Sequence, residues 1–359
     1  MTKTFKERVS EFWKAFEKEE AEVRSLIDNK AEANTMVNFV NSILNIAFED
    51  PFFEMGVNDE GKYELILTPE GDRARLLELH YWHQMAPESL SEKWNFYSTK
   101  PGHPNSNFGI QMYDISLSKD DVVIYYEIDE ERPKINLQVY SPKLMELDED
   151  QRFNMFFIFL DQFIGELYTM EYIGYIDFTD EELNGNVVSL SDFKNLIVKI
   201  ADEKEWPKYE NPYDVYSSYK MKPTEKKEWS LREDVMIGYT ACIPMLNAFF
   251  NGDNDFFNKF KADGVDFGFI YYENINVPQK EMVPFRSEIE DKIMAIAEER
   301  HIANSLGGAT GFHFSYIDFI IFDKDAFIDV VKNVLSEYNL EETGFCSFAP
   351  EDAPVWFNN

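Results

Sequence analysis

Positive charge is what this chain has least of for its size. Its 359 residues carry 34 Lys and Arg against 67 Asp and Glu, a formal −33 with the five histidines neutral. The deficit is shared along the chain. Residues 1–205 hold 20 basic and 41 acidic side chains, a formal −21, and the remainder 14 and 26, a formal −12. A field of that sign repels nucleic acid and anionic lipid, so neither is an expected partner, whereas basic proteins and cations are drawn in. Cysteine is nearly absent. Cys242 and Cys346 are too few for a disulfide framework and too far apart for the paired spacing of a zinc ribbon, so both are expected reduced and buried. Long apolar runs are missing too: the longest block, Met155 to Leu160, is closed by Asp161, far short of the roughly 20 residues that span a bilayer as a helix. No apolar run follows Met1 to Arg8, so no secretory signal is visible and the cytoplasm is the expected location. There is no Gly-x-Ser-x-Gly elbow, no Ser-x-x-Lys and no His-Glu-x-x-His, which removes the common serine-hydrolase and zinc-protease signatures.

What is present is apolar and aromatic. Hydrophobic residues make up 44% and aromatics 16%, with 32 Phe and 19 Tyr, enough to build packed interiors and to exclude a disordered chain. Two tetrapeptides occur twice in the same order. Ile124-Tyr125-Tyr126-Glu127 returns as Ile270-Tyr271-Tyr272-Glu273, and Tyr175-Ile176-Asp177-Phe178 as Tyr316-Ile317-Asp318-Phe319. The separation is about one domain length. The helix pattern of Phe193, Leu196, Ile197 and Ile200 is echoed by Phe327, Val330, Val331 and Val334. The expectation is an α+β protein of two duplicated, ferredoxin-like antiparallel sheets with helices on one face, plus an N-terminal helical pair.

The periodicities give boundaries. Residues 1–55 read as a helical extension, with Val9, Phe12, Trp13, Phe16, Val23 and Leu26 on one face and a second helix from Glu32 to Phe48. Residues 56–205 form the first domain. Its strands are expected at Tyr63 to Leu67, Trp94 to Tyr97, Ile110 to Leu117, Val122 to Ile128, Ile135 to Tyr140 and Tyr172 to Phe178, its helices after Asp72, from Asp148 to Glu166 and from Asp192 to Asp202. Residues 206–229, with three prolines and Lys208, Lys220, Lys222, Lys226 and Lys227, read as a basic linker. Residues 230–359 form the second domain. Strands are expected at Val235 to Thr240, Phe267 to Glu273, Met282 to Phe285 and Phe312 to Phe322, with helices near Ile243 to Phe250, from Arg286 to Asn304 and from Asp325 to Glu337.

Few residues point to chemistry. His80 and His83 are three apart on a helix and share a face, but a third metal ligand would have to come from elsewhere, such as His103, so no metal is expected. Asp177 and Asp318 are the equivalent acids of the repeated strands, each followed by further acids; lacking a nearby nucleophile they suit binding rather than catalysis. Gly307-Gly308-Ala309-Thr310-Gly311 follows a helix and precedes a strand, the reverse of a phosphate loop, and reads as a helix cap and turn. Gly307, Gly308, Thr310 and the neighbouring His313 are nonetheless the loop residues best placed to meet a ligand. No cofactor is expected.

The segment from Phe267 to Phe322, with its Arg286-Ser287-Glu288-Ile289-Glu290 helix opening and its glycine run leading into Tyr316-Ile317-Asp318-Phe319, resembles uncharacterised bacterial domains related to the B-type regulator of ribonuclease E activity. It covers less than a fifth of the chain. The resemblance implies a small acidic α+β domain that works by binding a protein, and it brings no catalytic motif. Charge and resemblance together predict a non-enzymatic protein that binds a basic partner: an inhibitor, immunity protein or regulator of a basic enzyme such as a nuclease. The alternatives are a small-molecule or metal-dependent enzyme with its site between two related domains, or an assembly subunit that binds through its N-terminal helices.

Overall fold

The computed structural model describes residues 3–209, 211–224, 230–274, 277–349 and 353–357. It divides into two compact units that do not follow the boundaries read from the sequence. One comprises residues 1–51, 73–93 and 211–359, the other residues 52–72 and 94–210.

Along the chain, α1 (Phe5–Asp28) starts on a Thr4–Glu7 capping box and is followed by α2 (Ala33–Leu44). Strands β1 (Phe53–Val57) and β2 (Tyr63–Leu67) make an antiparallel pair, α3 (Arg73–Gln84) follows, and β3 (Trp94–Tyr97) joins β2 in parallel. The stretch expected as one strand from Ile110 to Leu117 is a hairpin, β4 (Gly109–Met112) and β5 (Ile115–Ser118). Its turn residues Tyr113 and Asp114 both have positive φ, +51° and +63°, the geometry that favours Asn-Gly and that Tyr-Asp does not advertise. Next come β6 (Val123–Ile128), β7 (Ile135–Tyr140), α4 (Glu149–Ile164), α5 (Glu166–Tyr172), β8 (Ile173–Thr179), β9 (Asn186–Val188) and α6 (Leu190–Glu203). Asp148 and Ser189 cap α4 and α6 through Gln151 N and Asp192 N. Then follow β10 (Ser217–Lys220), β11 (Val235–Thr240), α7 (Ile243–Asn251), α8 (Asn254–Asp263), β12 (Asp266–Glu273), α9 (Met282–Glu299), β13 (Ala303–Gly311), β14 (Phe314–Ile321), α10 (Lys324–Leu335), β15 (Thr343–Ser347) and β16 (Val355–Trp356).

The larger unit is built on a seven-stranded sheet in the order β10-β11-β13-β14-β12-β15-β16. Its centre runs strand, helix, strand, strand, helix, strand from β12 to β15, with β12 between β14 and β15 and antiparallel to both. Helices cover both faces, not one. Ile270, Tyr272, Ile317 and Phe319 meet Ile289 and Ile293 of α9 and Phe327 and Val331 of α10. On the reverse face Phe267 packs against Phe256 and Phe260 of α8 at 5.9 and 5.1 Å. The N-terminal helices are part of this unit rather than an extension. Phe5 N donates to Gly264 O and Lys6 N to Phe322 O, the Phe5 ring lies 5.9 Å from Phe322, and Trp13 stacks on Trp82 of α3 at 5.0 Å. Residues 206–229 are not simply a linker, because β10 pairs with β11 as the sheet edge; Lys226 and Lys227 lie outside the described residues. Met282 to Phe285 is the first turn of α9 and not a strand, since Pro284 falls where a helix needs no backbone donor.

The smaller unit carries the sheet β1-β2-β3, the hairpin, and a four-stranded sheet in the order β8-β7-β6-β9. Here β6 and β7 are antiparallel neighbours and β8 lies parallel to β7 at the edge. Each strand alternates, as a pleated ribbon must. One cross-sheet row, Val188, Ile124, Val139 and Phe178, packs toward Phe156, Phe159 and Phe163 of α4 and Phe193 and Ile197 of α6. The repeated tetrapeptides therefore occupy different slots. β12 and β14 are paired, whereas β6 and β8 are separated by β7. The expected duplication of strand order is corrected accordingly: short runs of β-branched and aromatic residues recur because half-buried strands select them, whatever the topology. Among the described residues no helix is long and apolar enough to cross a membrane.

Candidate functional site

The row next to that apolar one looks the other way. Val187 of β9, Tyr125 of β6, Gln138 of β7 and Asp177 of β8 stand opposite one another across the four strands. A second pair, Glu127 and Asn136, lies two residues further along. Among the described residues of this unit no helix covers this face: Tyr175 is 55% and Val187 56% exposed, and Glu127, Gln138 and Asp177 are exposed as well. The loop after β8 forms a wall over Tyr125, and a depression of about 430 Å³ opens between them, lined by Tyr125, Glu127, Asn136, Gln138, Tyr175 and Asn184. Asn136 Oδ1 accepts from Tyr175 N at 3.2 Å and so helps to hold the edge strand, while Asp177 Oδ1 accepts from Phe178 N at 3.0 Å within that strand. Asp180, Glu181 and Glu182 in the wall are exposed. The surroundings are acidic: the unit of residues 52–72 and 94–210 holds 11 basic and 29 acidic residues, a formal −18 on the smaller share of the chain. Tyrosine rings, side-chain amides and carboxylates on a rigid sheet suit recognition of a polar, cationic surface. They do not form a nucleophile–base pair.

Asp318 is not the counterpart of Asp177. It is fully buried on the reverse face of the larger sheet, where Oδ1 and Oδ2 accept from Arg232 Nη1 and Nη2 at 2.5 and 3.2 Å. The Arg232 guanidinium lies 5.0–5.2 Å from the ring centres of Phe348, Phe269 and Tyr316 and donates to Tyr219 Oη. Arg232 N donates to Tyr316 Oη, and that hydroxyl donates to Asp234 Oδ1. Asp234 Oδ2 accepts from His313 N and Phe314 N. This is a buried internal network in which Arg232 Nε alone lacks a hydrogen-bond partner, and its work is to fix the sheet. His313 sits in the turn between β13 and β14, beside Phe312, which is 67% exposed.

The glycine run is neither a helix cap nor a loop. It is the second half of β13, and its small residues make room for side chains packed against the strand. A Cβ on Gly308 would fall 2.3 Å from Tyr316 O and 3.3 Å from Arg286 Nε, and one on Gly307, at φ +111°, 2.4 Å from Tyr239 O. Arg286 fills this trough, donating to Thr310 Oγ1 at 2.8 Å with its guanidinium 5.3 Å from the Tyr239 ring. Glu290, its carboxyl raised by burial, accepts from Tyr239 Oη and Ser305 Oγ. Gly308→Ala is expected to destabilise the protein by about 1–3 kcal/mol through overpacking against backbone, read as a lower urea midpoint; Ala309→Gly, which only removes a methyl from the same strand, should not reproduce the effect through a clash.

His80 and His83 do share one side of α3, with ring centres 6.4 Å apart, and His80 meets the Tyr213 ring edge-on at 5.4 Å. Burial, with His83 beside it, lowers His80 to about 4. Among the described residues no group of three or more His, Cys, Asp or Glu is placed to hold a metal. His103 belongs to the other unit.

Sequence reasoning singled out Asp177 as a binding candidate but missed Tyr125, Glu127, Asn136 and Gln138 as its neighbours. The available signal was alternation: in Ile124-Tyr125-Tyr126-Glu127 and in Ile135-Asn136-Leu137-Gln138-Val139 every second residue is polar or aromatic. Nothing in the sequence marked Arg232 and Asp234 as buried. No family model, curated protein or solved structure matches the chain.

Proposed function

We propose that this protein is a non-enzymatic binding protein that captures a basic macromolecular partner, in the manner of an inhibitor, immunity protein or regulator of a basic enzyme. The observation that carries this reading is the helix-free face of the four-stranded sheet, where Tyr175, Glu127, Gln138 and Asp177 are exposed in the more acidic unit. Aromatic side chains supply contact area at little entropy cost, and the surrounding carboxylates supply long-range attraction. The strand order of β12 to β15 favours a ferredoxin-like plan for that part of the larger unit, which agrees with the resemblance of Phe267 to Phe322 to small protein-binding domains. Basic proteins such as nucleases are the natural targets of such a field.

The test is kinetic. With a captured basic partner immobilised, the association rate should fall about tenfold or more as salt rises and the Debye length shrinks from about 10 Å toward 3 Å, while the dissociation rate changes little. A rate indifferent to salt would assign the charge to solubility alone.

A further inference from the structure

A second concavity in the smaller unit has a different character. Between α5, the last turns of α6 and the chain after it lies a pocket of about 290 Å³. Tyr168, Tyr172 and Tyr209 line it over an apolar floor of Leu167, Val198 and Ala201. The Tyr172 ring stands 5.4 Å from Tyr168 at 49° and 4.9 Å from Tyr209 at 56°, so the three rings form angled walls rather than a flat stack. Trp206 backs Tyr172 at 6.1 Å, nearly parallel, and Tyr172 Oη donates to Pro207 O at 2.9 Å, which fixes the segment that carries Tyr209. Asp202 stands at the rim, 54% exposed, in an ion pair at 3.1 Å with Lys208, which is 67% exposed and also lines the pocket. Burial, then the neighbouring tyrosines, Glu171 and Asp202, push the Tyr172 hydroxyl up to about 12. The Tyr172 hydroxyl stays neutral.

We infer that this pocket is an aromatic cage for a methylated alkylammonium group. Electron-rich ring faces attract a cation without requiring hydrogen bonds from it, which selects a bulky, weakly hydrated ammonium carrying methyl groups over a bare one. Asp202 at the mouth adds the single anionic charge such a ligand matches. The volume admits a small head group and not a folded segment. Lys194 is the other cation nearby. Its Nζ lies 5.2 Å from the Tyr168 ring and donates to Pro101 O at 2.7 Å, so it is held outside the pocket by a backbone acceptor. Lys208 competes with the ligand for Asp202.

Calorimetric titration of the full chain tests the inference with tetramethylammonium, choline, a short peptide bearing trimethyl-lysine, and 3,3-dimethylbutan-1-ol, the neutral isostere of choline. Tetramethylammonium is expected to bind at about 20 mM or below, and choline about fivefold or more tighter than the neutral isostere. Tyr209→Ala should weaken cation binding about fivefold or more, whereas Lys208→Ala should strengthen it by removing a like charge. Tighter binding of choline would mark a free small molecule as the natural source of the group, and tighter binding of the peptide a modified protein. Either result supports the cage. Absence of heat with all three cations, equal affinity for the neutral isostere, or indifference to both substitutions in variants of unchanged circular dichroism would overturn it.

Discussion

Arg232→Met is expected to lower stability by about 3–5 kcal/mol, because it leaves Asp318 as an uncompensated charge in a fully buried site. Both members of the pair have fully buried side chains. The guanidinium also contacts three aromatic rings and Tyr219, which the thioether retains only in part. The urea midpoint should fall by about 1 M or more. Replacing both partners, Arg232→Met with Asp318→Leu, should recover much of the loss, since an apolar pair of similar volume needs no charge compensation. A single variant as stable as the parent would show that Asp318 is solvated or already neutral.

Glu78→Gln should change the pH dependence of stability by a comparable amount. Arg75 Nη1 lies 2.5 Å from Glu78 Oε2 and 2.6 Å from Asp263 Oδ2, so one partly buried cation faces two buried carboxylates. Burial, offset in part by Arg75, pushes Glu78 up to about 8 from an ordinary value of 4.5. A folded-state value above the unfolded one means that the folded protein holds the extra proton. The stability this provides is complete below about pH 4.5 and is lost as pH rises through about 8. Glutamine keeps the shape without the titration. Relative to the parent, Glu78→Gln should therefore gain up to about 1.4 kcal/mol per pH unit between those limits and level off above them. Chemical denaturation of both proteins at intervals from pH 4 to 9 checks this; parallel curves would mean that Glu78 is ionised throughout.

These two sites show where the sequence was legible and where it was not. Tyr63 to Leu67, Trp94 to Tyr97 and Ile135 to Tyr140 were readable to the residue, because alternation and flanking turn residues agree there. β13 was not readable as a strand. Its Gly-Gly-Ala-Thr-Gly sequence looks like a turn, and only Arg286 and Tyr239 crossing the sheet explain why small residues are needed. The grouping of residues 1–51 and 73–93 with residues 211–359 rests on contacts between distant segments such as Trp13 with Trp82 and Phe5 with Phe322, which no local pattern encodes. Asp177 and Asp318 carry the same flanking residues, Tyr-Ile before and Phe after, yet one is exposed at an edge and the other is buried beside Arg232. Identical local sequence fixed the strand conformation of both and the burial of neither.

The central claim is that the exposed acidic and tyrosine-bearing face of the smaller unit, residues 52–72 and 94–210, captures a basic partner. The most direct measurement compares the immobilised parent protein with a Glu127→Lys, Asp177→Lys variant, both exposed to native cell extract at low salt, with the bound proteins identified by mass spectrometry. The account predicts that the parent retains a basic protein stoichiometrically, that salt releases it, and that the doubly substituted protein, unchanged in fold by circular dichroism, retains about tenfold less. Equal retention by both proteins, or a specific partner that is itself acidic, would contradict it.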